Sequence, residues 1–294
     1  MPVGSVPKTV LLLGHTGKLG MALEQALGAN YRIIGKNSSD FDATDFEQIH
    51  RLVEKSAPDI VVNTVAMLGI DPCEQMPEQA FRLNALLPRF LAELSATIGF
   101  TLVHFSTDAV FSDRVDEAGC VETDTPIPLN LYGSTKYAGD CFVMNSTPQH
   151  YIFRVPVLFG FSRNRGQFVE KMLERLRTEQ QPLRISTDII SSPTYSLDVA
   201  ERVRELLDSQ APYGLYHLAN YGRASLFDLM TEMVSQLGLE LPILPASYRD
   251  FPFVGRKNTC TPLSSVKTAA LRPWQQAVSE YCALLRQKRE LADG

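Results

Sequence analysis

A tyrosine and a lysine stand four residues apart in the segment LNLYGSTKYAGD, as Tyr132 and Lys136. On an α-helix this spacing places both side chains on the same face. A phenol with an ordinary pKa of about 10 is a poor acid or base at neutral pH, but a nearby ammonium group favours the phenolate and lowers that pKa. The pair can therefore exchange a proton with a carbonyl oxygen while a hydride arrives from a nicotinamide. The spacing alone also fits a tyrosine packed in the core.

A second candidate group is the triplet Ser106, Thr107 and Asp108 in the segment VHFSTDAVF. The triplet falls at the carboxyl end of a predicted strand, where open parallel sheets bind their ligands. Hydroxyl groups at that place can donate hydrogen bonds to a substrate carbonyl and stabilise the oxyanion that develops there. A turn or a helix cap explains such a triplet as well.

Three glycines recur at intervals of three residues in the segment VLLLGHTGKLGMALEQAL, between a predicted strand and a predicted helix. Gly14 permits a tight turn, Gly17 lets the backbone approach a ligand, and Gly20 lets the helix lie close to the strand. The amino end of that helix suits a pyrophosphate. After the second strand stands Lys36, with no acid before Asp40, which favours a 2′-phosphate and hence NADP over NAD. Lys36 as an ordinary surface lysine is the competing interpretation.

These groups depend on an alternation of short apolar strands and amphipathic helices. The strands are predicted at residues 9–13, 32–35, 59–63, 101–106 and 151–155, and later at 183–186 and 215–218. The helices are predicted at residues 18–27, 45–55, 77–98 and 131–145, and later at 167–178, 196–208, 225–237 and 274–288. The alternation predicts an α/β protein with a Rossmann-type, doubly wound parallel sheet.

The sequence also predicts two domains. Residues 1–155 form the dinucleotide-binding domain, and residues 156–294 form a smaller α/β substrate cap. Chain from about residue 187 to 220 is expected to cross back to the first domain. This division follows from the looser rhythm of the second half, where prolines and glycines become frequent.

Composition excludes several other classes of protein. The 294 residues carry a formal net charge of −5 without a basic cluster, which argues against nucleic acid or an anionic membrane surface as partner. No apolar stretch approaches the length of a membrane span. Five scattered cysteines and the absence of a signal-peptide pattern favour a cytoplasmic protein with free thiols. No cluster has metal-ligand spacing, so no metal site is predicted.

Many segments, in order, resemble the dTDP-4-dehydrorhamnose reductase family of the extended short-chain dehydrogenase/reductases. These segments are GHTGKLG, DIVVNTVAMLGIDPCEQMPEQAFRLNA, HFSTDAVF, ETDTPIPLNLYGSTKYAGD and FRVPVLFG, followed by GQFVEKML, SSPTYSLDVA and GLYHLAN. The resemblance covers nearly the whole chain. It implies an NAD(P)-dependent oxidoreductase that reduces the C4 ketone of a nucleotide-linked 4-keto-6-deoxy sugar, with NADP as cofactor and NAD as the alternative. It leaves a homodimer open.

The resemblance also implies roles for individual residues. Tyr132 is expected to donate the proton, Lys136 to hold the nicotinamide ribose and tune Tyr132, and Thr107 and Asp108 to contact the sugar. The residues implied to bind the cofactor are Gly14, Gly17, Lys18, Leu19, Gly20, Lys36, Asp42, Ala43, Ala66, Met67, Leu68, Phe105, Tyr132 and Lys136. Within this set, residues 17–19 are expected at the pyrophosphate, residues 42–43 at the adenine, and residues 66–68 along the cofactor beyond the third strand.

The sequence departs from the family pattern around the expected sugar pocket. Ala109 stands where the family usually has tyrosine, and Asp113 where it usually has glycine. Val157, a predicted substrate contact, stands where a tryptophan usually packs on the sugar. Residues 256–259 read Arg-Lys-Asn-Thr, in place of the usual Arg-Pro before an Asn-Ser pair. A reductase of a different nucleotide sugar therefore stays open.

A second hypothesis comes from a different class of protein. The segments PLNLYG and RVPVLFG are similar to those of the regulatory beta subunit of methionine adenosyltransferase, which has this fold, binds NADP and serves a partner enzyme. The rival to an enzyme is thus a cofactor-loaded binding module. The intact group of Thr107, Asp108, Tyr132 and Lys136 favours catalysis, whereas the altered sugar contacts favour the module.

Overall fold

Short apolar stretches bounded by glycine, proline or aspartate form the strands of a computed structural model that describes residues 6–114, 118–163, 168–178, 181–240 and 242–293. The strands are β1 (Thr9–Leu13), β2 (Arg32–Lys36), β3 (Ile60–Asn63), β4 (Thr101–Thr107), β5 (His150–Val155), β6 (Leu158–Phe159), β7 (Leu183–Ser186), β8 (Ile190–Ser191), β9 (Thr194–Tyr195), β10 (Gly214–His217), β11 (Asn220–Tyr221), β12 (Ala224–Ser225), β13 (Ile243–Ala246) and β14 (Leu271–Pro273).

Amphipathic stretches form the helices that connect these strands. The helices are α1 (Lys18–Leu27), α2 (Phe46–Ser56), α3 (Ile70–Gln75), α4 (Pro77–Phe81), α5 (Leu87–Ile98), α6 (Leu131–Ser146), α7 (Phe168–Thr178), α8 (Ser196–Asp208), α9 (Leu226–Leu237) and α10 (Trp274–Asp293). A π-helical turn spans Arg82–Leu86, and short 3₁₀ turns span Asp108–Val110 and Tyr248–Asp250. None of the described helices combines the length and the apolar character that crossing a membrane requires.

Six strands form one parallel sheet in the order β10-β5-β4-β3-β1-β2. The order reverses at β1, whose neighbours are β2 on one side and β3 on the other. A crevice opens at such a reversal, outside the carboxyl ends of the strands. The predicted doubly wound sheet therefore places the end of the glycine-containing strand at the switch point.

Helices cover both faces of this sheet, as the uninterrupted apolar strands require. Val10 and Leu12 of β1 point to one face and pack with buried residues of α1 and α8. Leu11 and Leu13 point to the other face and pack with buried residues of α2 and α5. All four side chains are fully buried. The alternation along β1 thus divides the domain into two hydrophobic layers with the sheet between them.

A separate hydrophobic cluster forms the core of the cap. Tyr195, Met230 and Trp274 are buried there with residues of α7, α9 and α10. The aromatic rings of Phe159 and Tyr195 stack with centroids 5.4 Å apart. The chain returns to the large sheet after entering the cap, because β10 pairs in parallel with β5. The domain boundary at residues 155 and 156 stays a prediction.

The predicted helix across residues 77–98 is helical throughout, but it passes from α-helix to π-helix and back, as α4, the π-helical turn and α5. Pro88 lies in the first turn of α5 and has no N–H with which to continue the α-helical pattern. The backbone N–H of Leu87 instead reaches back five residues to the carbonyl oxygen of Arg82. The helix predicted from residue 167 begins outside the described residues; its described part, α7, ends at Thr178 as predicted.

Candidate active site

The glycine turn after β1 requires glycine at two positions. Gly14 has a φ of +87°, a conformation that side chains with a Cβ rarely adopt. Its N–H donates to the carbonyl of Lys36 at 2.7 Å, which ties the turn to the end of β2. A Cβ at Gly20 would lie 2.2 Å from the carbonyl oxygen of Gly14, so only glycine lets α1 start this close to the strand.

The amino end of α1 fits a pyrophosphate. Gly17 caps the helix without any side-chain hydrogen bond to its first N–H groups. A Cβ built at Gly17 would meet the carbonyl oxygen of Gly14 at 3.3 Å and no other atom within 4 Å. Backbone donors at a helix start and the positive end of its dipole bind anions well. The N–H of Gly17 itself donates to the carbonyl of Gly14 at 3.0 Å. The N–H groups of Lys18 and Leu19 are therefore the ones that can hold the phosphates of a dinucleotide.

The Lys18 side chain turns toward the cap. Its ammonium lies 2.9 Å from the Glu170 carboxylate on α7 and donates to the carbonyl of Leu158 at 2.8 Å. Burial lowers the pKa of Lys18, and Glu170 opposes that shift. The predicted contact of this residue with the pyrophosphate thus depends on its backbone N–H rather than on its ammonium group.

The residues expected near the adenosine lie at the surface after β2. The Lys36 ammonium is 3.5 Å from a carboxylate oxygen of Asp40 and is part-exposed. One oxygen of Asp42 accepts hydrogen bonds from both the N–H and the hydroxyl of Thr44. Ala43 packs on the edge of a core cluster. Lys36 is therefore placed to meet a 2′-phosphate at the end of β2.

The segment after β3 is held by an asparagine that the sequence analysis did not single out. The side-chain oxygen of Asn84 accepts from the N–H of Met67 at 2.9 Å, and its amide donates to the Met67 carbonyl at 3.0 Å. The same amide lies 3.1 Å from the Thr135 hydroxyl on α6. Asn84 thus fixes the segment 66–68 against the tyrosine–lysine helix, with Ala66 part-buried and Leu68 half-exposed.

Tyr132, at the start of α6, lies beside Thr107, at the end of β4. Asn130 caps α6 by accepting from the N–H of Gly133, and Tyr132 follows in the first turn. The half-buried Tyr132 phenol lies beside the Thr107 hydroxyl at the end of β4. Burial raises the pKa of Tyr132 above its ordinary value, and the neighbouring Thr107 hydroxyl opposes that rise.

Lys136 lies one turn further along α6 and is 2% exposed. Its ammonium donates a 2.6 Å hydrogen bond to the carbonyl of Phe105. Burial lowers the pKa of Lys136 to about 8. The prediction that this ammonium lowers the pKa of Tyr132 stays a prediction; in the structure the ammonium is bonded to the strand, and burial is the largest influence on the Tyr132 pKa.

Asp108 is buried beneath the tyrosine, where hydroxyl groups surround its carboxylate. One oxygen accepts from Thr107 at 3.0 Å, and the other accepts from Ser191 at 3.1 Å and Thr261 at 2.8 Å. Burial raises the pKa of Asp108, and these hydrogen bonds oppose the rise. Asp108 therefore joins the sheet to the cap and holds the Thr107 hydroxyl next to the phenol.

The departures from the family pattern have distinct surroundings. Ala109 is buried in the 3₁₀ turn after β4, and its N–H donates to the Thr107 hydroxyl. Val157 is part-buried against the cap core. Asp113 accepts from the N–H and the hydroxyl of Thr259 and from the N–H of Cys260. Asp113 thus anchors the cap segment that contains the altered residues 256–259.

Several of the residues that build the site escaped sequence reasoning. Asp140 carried a signal, since it stands four residues after Lys136 on the same helix face. Asn84 sits in a π-helical turn, a feature that often occurs at functional sites. Ser191 and Thr261 carried no signal, because they lie 83 and 153 residues from Asp108 in the chain.

A parallel sheet, an anion-binding glycine turn at its switch point and a tyrosine–lysine helix beside a strand-end threonine are together the arrangement of the extended short-chain dehydrogenase/reductases. The chain also matches the family described as RmlD substrate binding domain over residues 8–287. The chain belongs to this family. The family and the fold class expected from the sequence are thereby confirmed.

Similar proteins cover nearly the full length of the chain. The spore coat polysaccharide biosynthesis protein SpsK of Bacillus subtilis is 32% identical over an alignment of 278 residues, and the alignment covers 92% of this chain and 96% of that protein. A dTDP-4-dehydrorhamnose reductase of Mycolicibacterium smegmatis is 30% identical, with 93% and 85% covered. The crystal structure of dTDP-4-dehydrorhamnose reductase from Bacillus anthracis in complex with NADP has a TM-score of 0.87 at 27% identity, with 94% and 99% covered.

Proposed function

We propose that the protein is an NADPH-dependent reductase of the C4 ketone of a nucleotide-linked 4-keto-6-deoxy sugar. The observation that carries the proposal is the placement of Tyr132 beside Thr107, at the carboxyl end of β4 and on the ligand side of the sheet. Relatives named dTDP-4-dehydrorhamnose reductase and a neighbour in complex with NADP support the same reaction and cofactor. NAD is the alternative cofactor.

Tyr132 is suited to donate a proton. The reduced nicotinamide supplies the hydride when it is bound, and the ketone oxygen then becomes an alkoxide that needs a proton. Because burial raises the pKa of Tyr132, the phenol is protonated at neutral pH. A protonated phenol next to the developing alkoxide can transfer its proton as a general acid.

Thr107 and Asp108 orient this proton donor. The Thr107 hydroxyl lies beside the phenol and donates to a carboxylate oxygen of Asp108. The carboxylate is itself held by two hydroxyls from the cap segments, so the surroundings of the phenol are fixed before substrate arrives. A proton donor held in fixed surroundings needs no reorganisation when charge develops on the ketone oxygen.

Lys136 contributes a buried positive charge one helical turn from Tyr132. Its hydrogen bond to the Phe105 carbonyl fixes the ammonium at the strand that carries Thr107. From that place it can bind ribose hydroxyls of the cofactor and favour the phenolate that remains after proton transfer. The cofactor phosphates would rest over the amino end of α1, where Gly17 leaves the backbone N–H groups accessible.

The experiment that tests the proposal is a measurement of NADPH oxidation with a panel of nucleotide-linked keto sugars. We expect turnover with at least one 4-keto-6-deoxy sugar and none when Tyr132→Phe replaces the wild-type protein. Tight NADPH binding without turnover on any member of the panel would reject the enzyme and leave the cofactor-loaded binding module. A reaction of this kind belongs in the cytoplasm, and the oligomeric state, a homodimer included, is measured by light scattering.

A further inference from the structure

The catalytic helix carries a third polar residue on the face that bears Tyr132 and Lys136. Asp140 follows Lys136 by one further turn and is fully buried. One of its oxygens accepts from the Arg154 Nε at 3.0 Å. Arg154 lies on β5 and is itself 2% exposed, with its guanidinium 5.2 Å from the centroid of the Phe111 ring. A buried ion pair therefore lies directly beyond the lysine.

Stability alone does not explain why this ion pair is buried. Removing two charges from water costs several kcal/mol per ion, and apolar residues of similar volume often serve a core equally well. Asp140 and Arg154 belong to neighbouring elements of one domain, α6 and β5, which already pack through apolar residues. The position of the pair, one turn from Lys136, points instead to an electrostatic purpose.

The other titratable groups around Lys136 are neutral near pH 7. Burial raises the pKa of the Cys73 thiol on α3 to about 11. Burial also lowers the pKa of His104 on β4 well below its ordinary value. Both groups influence or are influenced by the Lys136 charge. Neither carries a negative charge that would favour the ammonium.

Asp140 can supply that negative charge. Burial raises the pKa of Asp140, and the Arg154 guanidinium is the largest influence that opposes the rise. An arginine stays protonated in proteins, so a neutral Asp140 would leave an unbalanced cation in the core. Arg154 therefore favours the charged form of Asp140, and a charged Asp140 favours the charged form of Lys136.

We propose that Asp140, held by Arg154, is a positioning residue that keeps the buried Lys136 ammonium protonated one helical turn from Tyr132. The inference rests on the proposed function, because it deepens the role of Lys136 in the same reaction. Asp140 does not contact the reacting atoms and acts only through Lys136. Its loss should therefore change the pH dependence of the reaction rather than its chemistry.

The test is the pH profile of kcat/KM for the wild type and for Asp140→Asn. The Lys136 pKa of about 8 predicts that wild-type activity falls as the pH rises through that value. In Asp140→Asn this alkaline limb should move toward acid by about one pH unit. Asp140→Glu, which retains the charge, should bring the limb back. A limb that stays in place while activity falls equally at every pH would overturn the inference.

Two double variants control for misfolding and for the general effect of removing an ion pair. Asp140→Asn leaves Arg154 unpaired, so the double variant Asp140→Asn with Arg154→Met removes both charges and should show the same acid shift. The matched control removes the part-buried pair Asp198 and Arg272, which are 2.8 Å apart and lie on α8 and β14. Asp198→Asn with Arg272→Met should leave the alkaline limb unchanged.

A readout without substrate separates this inference from the proposed function. NMR titration of isotope-labelled lysine side chains, assigned with Lys136→Arg, reports the protonation of Lys136 directly. A shifted midpoint in the Asp140 variants of a protein that reduces no keto sugar would reject the proposed function and retain the inference. An unchanged midpoint in both Asp140→Asn and the double variant would reject the inference, whatever the turnover.

Discussion

The Lys18 ammonium, in the first turn of α1, lies 2.9 Å from the Glu170 carboxylate in the cap. Only 2% of the Lys18 side chain and 14% of the Glu170 side chain are exposed. A buried ion pair thus joins the nucleotide-binding turn to the helix α7. The pair connects α1, in the first half of the chain, with α7, in the second half.

Removal of one member of this pair should destabilise the protein strongly. Glu170→Gln leaves a buried ammonium with only the Leu158 carbonyl, which predicts a loss of about 3 kcal/mol in the free energy of unfolding. Lys18→Met combined with Glu170→Met should lose less, since no charge stays unpaired. Denaturant titration measures both. Glu174→Gln, an exposed change on the same helix, is the control, and an equal effect there would contradict the prediction.

Lys36 should give the protein a preference for NADPH over NADH. Its ammonium stands at the end of β2, where a 2′-phosphate would meet it and an acid would repel that phosphate. Lys36→Glu should weaken NADPH binding about tenfold, the effect of losing one charge-assisted hydrogen bond. Fluorescence titration with both cofactors measures this. Lys55→Glu on α2 is the control, and tighter binding of NADH by the wild type refutes the role of Lys36.

Tyr132→Phe should abolish ketone reduction and leave NADPH binding largely intact. The substitution removes only the phenolic O–H, so the ring still packs at the start of α6 while the proton donor is lost. Tyr137→Phe, five residues along the same helix, is the matched control and should retain turnover. Steady-state kinetics measures turnover in both variants, and cofactor titration measures their NADPH binding. Residual turnover near the wild-type rate in Tyr132→Phe would remove the phenol from the mechanism.

A larger aromatic side chain in the predicted sugar pocket should raise activity. Val157 stands where the family tends to place a tryptophan, and it is only part-buried against the cap core. We expect Val157→Trp, alone and with Ala109→Tyr, to raise kcat/KM on a dTDP-linked 4-keto-6-deoxy sugar through stacking contacts. Val157→Leu adds volume without a ring and serves as the control. Equal activity in all of these variants would indicate a different substrate class.

Asp113 should hold the cap segment in place over the crevice. Its carboxylate accepts three hydrogen bonds from Thr259 and Cys260. Asp113→Gly, the residue usual in the family, should lower the free energy of unfolding by about 1 kcal/mol and raise KM for the sugar more than it changes kcat. Asp113→Asn keeps one acceptor oxygen and should fall between the two. An unchanged KM in Asp113→Gly would show that the segment does not border the substrate.

Local patterns were enough to predict most elements of the dinucleotide-binding half. The predicted strands match β1 to β5 within a residue, because each is a short apolar run between residues that end strands. The predicted helix at residues 18–27 coincides with α1. The π-helical turn before α5 was not predicted, since a proline can lie within a continuous helix where the hydrogen-bond pattern shifts around it.

The sequence by itself determined the class of protein. The glycine spacing, the strand-end hydroxyls and the tyrosine–lysine interval are local, and each restricts what the backbone and one helix face can do. Only the tertiary structure decided that Lys136 bonds to Phe105, that Thr107 lies beside Tyr132, and that distant hydroxyls hold Asp108. The physical reason is that charge states in a crevice depend on burial and on partners far apart in the chain, which no local pattern contains.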